Sequence, residues 1–208
     1  MADSAYLATP AIRDSGVVLD SPRHTAMVRV THWVNTLSFF GLLVSGIAII
    51  LAHPRFYWGE TGGVGGPSLF DLPLPFVLVG QTGWGRYLHF QSAWIFVLTG
   101  LPYVISGTIT RHFRKDFSSY NVIQRLTYLG VIFVLAPLMI WTGLAMSPAI
   151  TSVFPGIVTV FGGQQSARTI HFFAADLLVA FLFVHIAMVW RAGFKNRVRA
   201  MITGHNYE

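Results

Sequence analysis

Four apolar stretches, each long enough to cross a bilayer, constrain this 208-residue chain more than any other feature. They run over about 30–52 ("VTHWVNTLSFFGLLVSGIAIILA"), 86–109, 122–146 and 168–191 ("RTIHFFAADLLVAFLFVHIAMVWR"). A helix of about 20 apolar residues spans the hydrocarbon core. Within lipid the backbone must satisfy its own hydrogen bonds, so segments of this length are expected as helices. The chain therefore reads as all-α, an integral membrane four-helix bundle forming a single membrane domain over 1–208. Residues 1–29 and 192–208 are expected as tails, and 53–85 as a long connecting loop.

Composition agrees. Hydrophobic residues make up 53% and charged residues 11%, against about 25% charged in an average soluble domain. The net charge of +6 reads as topology rather than as nucleic-acid binding, because its residues collect in the connections. Arg13, Arg23 and Arg29 precede the first span. Arg111, Arg114, Lys115 and Arg125 surround the second connection, and Arg191, Lys195, Arg197 and Arg199 follow the fourth span. Only Arg55, Arg86 and Arg168 fall at the opposite end. Basic loops stay inside, so both termini are expected in the cytoplasm of a bacterial inner-membrane protein. The N-terminal segment lacks the short apolar core of a signal peptide and is expected to remain as a cytoplasmic tail. Cysteine is absent, which excludes disulfides, iron–sulfur ligation by this chain and thioether-linked haem.

The spans carry His32, His89, His171 and His185. With helices alternating in direction, His32 and His185 lie near the cytoplasmic surface, and His89 and His171 near the outer one. His171 and His185 are fourteen residues apart. That is a rotation within about 40° of a whole number of turns and a rise of about 21 Å, so they share one face at two depths. Two imidazoles facing each other inside a bundle are a natural axial pair for haem b. The pattern predicts two haem b groups, one on His32 and His185, the other on His89 and His171, with these four residues as the metal ligands. Zinc fits less well, since two imidazoles per level leave its four-coordinate shell incomplete.

Other residues fit around that frame. Arg29, Arg86 and Arg168 each precede a histidine by three ("RVTH", "RYLH", "RTIH"). Each could bind an anionic haem propionate, or be an ordinary interfacial cation. Gly46 and Gly100 lie near the histidine faces, where they leave room for a macrocycle or for close helix packing. Asn121, Gln124 and Tyr128, with Arg125, form a polar group at the cytoplasmic start of the third span. They read as a quinone pocket or an interfacial cap. Pro137 is expected to kink that span. Asp176, the lone acid within a span, points away from the histidine line, and a structural hydrogen bond, a polar contact with another helix or proton transfer all remain open to it. His24, His112 and His205 read as solvated loop and tail residues, and His53 as part of the outer loop.

The four ligand positions, together with "RYLHFQSAWIFVLTGLPYVISG" followed by "RHFRKD", resemble the prokaryotic four-helix dihaem cytochromes b over about Arg23 to Arg199. These are the membrane subunits of formate dehydrogenases, nickel–iron hydrogenases and thiosulfate reductases, and the small cytochromes of the five-sixty-one type. The resemblance implies a respiratory relay of electrons between a redox partner on one face and membrane quinone. The small stand-alone cytochromes usually have a short first loop. The long Gly/Pro/aromatic segment 53–85 departs from them and favours docking of an extracytoplasmic redox subunit: a molybdenum enzyme, a hydrogenase or an iron–sulfur protein. Two other readings stand beside this one. One is a stand-alone oxidoreductase between superoxide or another small diffusible species and quinone. The other is a haem-free anchor or transporter.

Overall fold

The computed structural model describes residues 25–60, 66–109 and 122–204, with the side chain of residue 123 set aside. Four helices are long and apolar enough to span a membrane. The first, α1 (Ala26–Ala52), is capped by Thr25, whose hydroxyl accepts from the amide of Val28. The second, α2, is Thr82–Ile109. The third, α3, is built from Val122–Gly130, a π-helical turn Val131–Leu135 and Ala136–Ala145. Two short helices, α4 (Pro148–Thr151) and α5 (Gly156–Thr159), lead to the fourth span, α6 (Gln164–Arg191).

The starts of α1, α2 and α6 lie about one turn before the apolar runs begin, because capping and polar residues extend each helix into the interface. The expected kink at Pro137 takes the form of the π turn just before it. The missing N–H and the bulk of the proline ring disfavour an ordinary turn, and a widened one accommodates both. The C-terminal tail is not featureless. After a turn at Gly193 it forms α7 (Phe194–Thr203). His24, His112, His205 and Asn121 lie outside the described residues.

Helix α1 packs along α2, and α3 along α6. Small residues make the first contact possible. A Cβ on Gly41 would overlap the Ser92 hydroxyl, and one on Gly85 would stand 3.2 Å from Ala48. Among the described residues the buried polar side chains are all Ser or Thr. Ser38, Ser45 and Thr142 each donate to the carbonyl four residues back, as a hydroxyl without water must. We call the end where α1 begins and α6 closes the basic end, and the other the loop end.

The described part of the long loop is ordered. Arg55–Phe56 (β1) pairs antiparallel with Phe70–Asp71 (β2). Phe56, buried, stacks on Phe70 at 4.7 Å and packs on Phe172 of α6 at 4.5 Å. The first turn of α6 then fastens the loop. Its amides at Gln165 and Ser166 donate to the Gly59 carbonyl at 3.0 and 3.4 Å. The Ser166 hydroxyl accepts from the Gly59 amide at 2.8 Å, and Thr169 donates to Tyr57 O at 2.8 Å. A helix N-terminus needs such acceptors; here another part of the chain supplies them. The approach demands glycine at Gly163, where φ is 128° and a Cβ would overlap the Gly59 carbonyl. Gly163→Ala is expected to lower stability by at least about 1 kcal/mol and to expose the loop to proteolysis. Gly156→Ala, where a Cβ meets open space, is expected to change neither. A thermal melt in detergent with a limited digest decides, and equal behaviour of the two variants would disprove the account of Gly163.

Candidate functional site: two imidazole pairs across the bundle

The structure brings the four histidines together as two pairs. At the basic end the His32 and His185 ring centroids are 6.5 Å apart, and at the loop end those of His89 and His171 are 6.2 Å apart. Two metal–nitrogen bonds of about 2 Å each, with each nitrogen about 1 Å from its ring centre, set collinear axial imidazoles roughly 6 Å apart. The pairs therefore have the spacing that one metal between two imidazoles requires. Among the described residues no cluster of three or more His, Cys, Asp or Glu exists, so each pair offers two protein ligands and leaves the remaining positions to a macrocycle.

Hydrogen bonds orient the loop-end rings. His89 Nδ1 lies 3.0 Å from Ser45 Oγ, and His171 Nδ1 lies 2.8 Å from Thr142 Oγ1. Each hydroxyl has one proton, already directed to a helix carbonyl: Ser45 to Gly41 O at 2.6 Å and Thr142 to Leu138 O at 2.7 Å. With those protons on the helix carbonyls the hydroxyls accept, and Nδ1 carries the imidazole proton. That leaves each Nε2 lone pair free for a metal, the arrangement by which outer partners fix ligating histidines. Neither Ser45 nor Thr142 stood out in the sequence.

At the basic end Tyr128 takes the corresponding place, its hydroxyl 3.2 Å from His185 Nδ1. Phe181 stacks beside His185 at 5.8 Å, and Trp33 meets His32 edge-on at 5.2 Å. A signal for this was present in the sequence. Tyr128 and Thr142 are fourteen residues apart on α3, as His171 and His185 are on α6. The helices run antiparallel, so each hydroxyl meets the imidazole at its own level. Small residues flank the loop-end rings. A Cβ on Gly46 would stand 3.9 Å from His89, and one on Gly143 3.6 Å from His171. Gly100 lies instead at the basic-end half, against Asn35.

The other sequence candidates divide. Gln124 donates to Met188 Sδ at 3.5 Å, about one turn beyond His185 on α6. Arg168 holds the loop: its guanidinium donates to the carbonyls of Arg55, at 2.7 Å, and His53, and lies 4.7 Å over the Phe56 ring. Arg29 donates to Ile202 O of α7 at 2.7 Å. Arg86 is exposed beside Gly83, Tyr87 and Phe90. Asp176 is exposed and makes no hydrogen bond among the described residues.

A family model describing prokaryotic cytochrome b561 matches residues 23–204. The chain belongs to that family. This membrane cytochrome b is 29% identical to YedZ1 of Azospira oryzae, described as a candidate protein-methionine-sulfoxide reductase subunit, over 88% of this chain and 96% of that protein. It is 27% identical to the cytochrome b556(fdo) subunit of formate dehydrogenase from Escherichia coli K12, over 88% and 83% of the two chains. It is 22% identical to the B-type cytochrome subunit assigned to a nickel–iron hydrogenase of Cupriavidus necator, over 88% and 85%. Membership implies haem b as the cofactor of this cytochrome, and the paired imidazoles are a donor set that suits it.

Two predictions follow from the geometry. Thr142→Val removes the acceptor at His171 while keeping the volume, and is expected to weaken haem retention about 10- to 100-fold. Thr142→Ser should restore it, and pyridine haemochrome per chain after detergent dilution is the readout. At the loop end, partial burial and then the nearby Arg168 and Arg86 charges hold the His53 imidazole below its usual range. A folded-state value below the unfolded one, about 6.5, means protonation favours the unfolded loop. Loop stability is therefore full above pH about 6.5 and declines as pH falls below it. The hydrogen-exchange protection factors over 53–59 should fall between pH 7.5 and 5.5, and His53→Gln should flatten that fall.

Proposed function

We propose that this cytochrome b relays electrons through two haem b groups between an extracytoplasmic redox subunit and the quinone pool. The observation that carries this reading is the pair of imidazole sites, 6.5 and 6.2 Å across, stacked at opposite ends of one bundle. His32 and His185 hold the group at the basic end, which the positive-inside rule places in the cytoplasm. His89 and His171 hold the group at the loop end. Haem, when bound, supplies reversible one-electron carriage. The chain holds it, orients the rings through Ser45, Thr142 and Tyr128, and excludes water with apolar helices. Arg86 is free to meet a propionate carboxylate at the loop end. Arg168 retains further N–H donors beside those it gives to the loop.

Gln124 and Tyr128, with Asn121 three residues before Gln124 in the sequence, are the groups assigned to the quinone. Tyr128 places its hydroxyl beside His185 and Gln124 its amide against Met188, where a quinone carbonyl accepts a proton as it is reduced. The loop end is assigned to the partner. Trp58, Val153, Phe154 and Val160 stand exposed there, above a loop that α6 fixes rigidly. Relatives named as subunits of formate dehydrogenase and hydrogenase support a partner of that kind.

The test is haem stoichiometry and its response to ligand removal. The purified protein is expected to bind two b haems per chain. His185→Ala is expected to lose the basic-end haem and His171→Ala the loop-end haem, each leaving one haem with a distinct redox midpoint. If both variants keep two haems, the ligand assignment is wrong; a wild-type protein with a single haem would end the relay.

A further inference from the structure

The C-terminal helix α7 takes no part in the relay, yet the fold holds it in a defined place. It lies back against the start of α1, where Trp33 Nε1 donates to Met201 O at 3.0 Å and Arg29 Nη1 to Ile202 O at 2.7 Å. Those two donors satisfy carbonyls in the last turn of α7, which a helix leaves open. Between the two helices runs a groove of about 520 Å³ lined by Ala26, Arg29, Val30, Trp33, Val34, Met201 and Ile202. Its walls are apolar, and Val30 and Ile202 are 60% and 61% exposed. Its polar feature is a cation. Arg29 Nε is buried and donates to nothing among the described residues.

Among the described residues the charge near the groove is basic. Arg191 closes α6, and Lys195, Arg197 and Arg199 follow on α7. The described acids, Glu60, Asp71 and Asp176, all lie in the loop-end half. No carboxylate among the described residues balances the basic end. An amphipathic basic helix beside a membrane span lies in the plane of the interface, and clustered Lys and Arg there attract anionic lipid. A ligand for this groove must join an anion to long apolar chains, at the depth where headgroup meets acyl chain.

We propose that the groove between α1 and α7 binds one anionic glycerophospholipid of the surrounding leaflet. Its phosphate is held by Arg29, and its acyl chain runs along Val30, Val34 and Ile202. Lys195 and Arg197 select a net-negative headgroup over a zwitterionic one. The site is separate from the histidine pairs and does not depend on the haem reading.

Native mass spectrometry of the detergent-purified cytochrome, titrated with phosphatidylglycerol or with phosphatidylcholine of the same chains, tests this. The wild type is expected to retain one phosphatidylglycerol at about a tenth of the concentration needed for phosphatidylcholine. Lys195→Gln with Arg197→Gln leaves Arg29 and its contact with α7 in place. Each charge is worth about fivefold, so losing both should erase the tenfold preference. Ile202→Trp fills the groove without touching a charge and should abolish the single tight lipid for either headgroup. Equal retention of the two lipids by the wild type overturns the proposal, whatever the variants do. So does a charge variant, folded by circular dichroism, that still prefers phosphatidylglycerol as strongly as the wild type.

Discussion

A neutral imidazole inside a bilayer must find an acceptor for its one N–H, because no water is there to provide it. In this cytochrome that requirement is met at the loop end by two hydroxyls, Ser45 and Thr142, whose own protons are committed to helix carbonyls. One small set of bonds thus settles three things at once. It satisfies the buried N–H, fixes the tautomer and leaves the second nitrogen of each ring without a proton. The helix pairing follows from it. Ser45 on α1 supports His89 on α2, and Thr142 on α3 supports His171 on α6. Each of these histidine-bearing helices is therefore packed against the helix that orients its imidazole. The facing rings come from opposite halves of the bundle.

The loop end is a continuation of the same helix. The first turn of α6 fastens Tyr57 and Gly59, Arg168 holds the carbonyls of His53 and Arg55, and two residues beyond Thr169 stands His171. The long segment after α1 is thereby locked to the helix that carries a haem-ligand candidate. A partner that docks on this loop meets a surface whose position relative to His171 is set by covalent helix geometry. The basic end is built differently. It uses Arg29 and Trp33 to secure a separate amphipathic helix, and no carboxylate among the described residues stands beside it.

Legibility differed with the kind of pattern each feature needed. The depth and pairing of the four histidines could be read directly, since helical rise and alternating direction convert residue number into position. Gly46 was assigned to the right kind of place, but its neighbour is His89 rather than the histidine of its own helix. The three Arg–x–x–His repeats share one spacing in the sequence and part in the structure. Arg29 serves α7, Arg168 serves the loop, and Arg86 is exposed. Identical spacing fixes where a side chain starts, not which acceptor a long, flexible guanidinium finds. Thr142 escaped notice because a threonine in an apolar run has an ordinary local explanation, a bond to its own helix.

The sequence by itself determined the membrane class, the four spans, the two levels of imidazoles and the family. Each depends on periodicity, length or local motif, and these are properties of one segment at a time. The tertiary structure alone decided which hydroxyl orients which ring, that α7 returns to α1, and that the loop caps the N-terminus of α6. Those depend on contacts between segments far apart in the chain, such as Gly59 with Ser166 or Arg29 with Ile202. No local pattern encodes such contacts, because they exist only once the helices have chosen their neighbours.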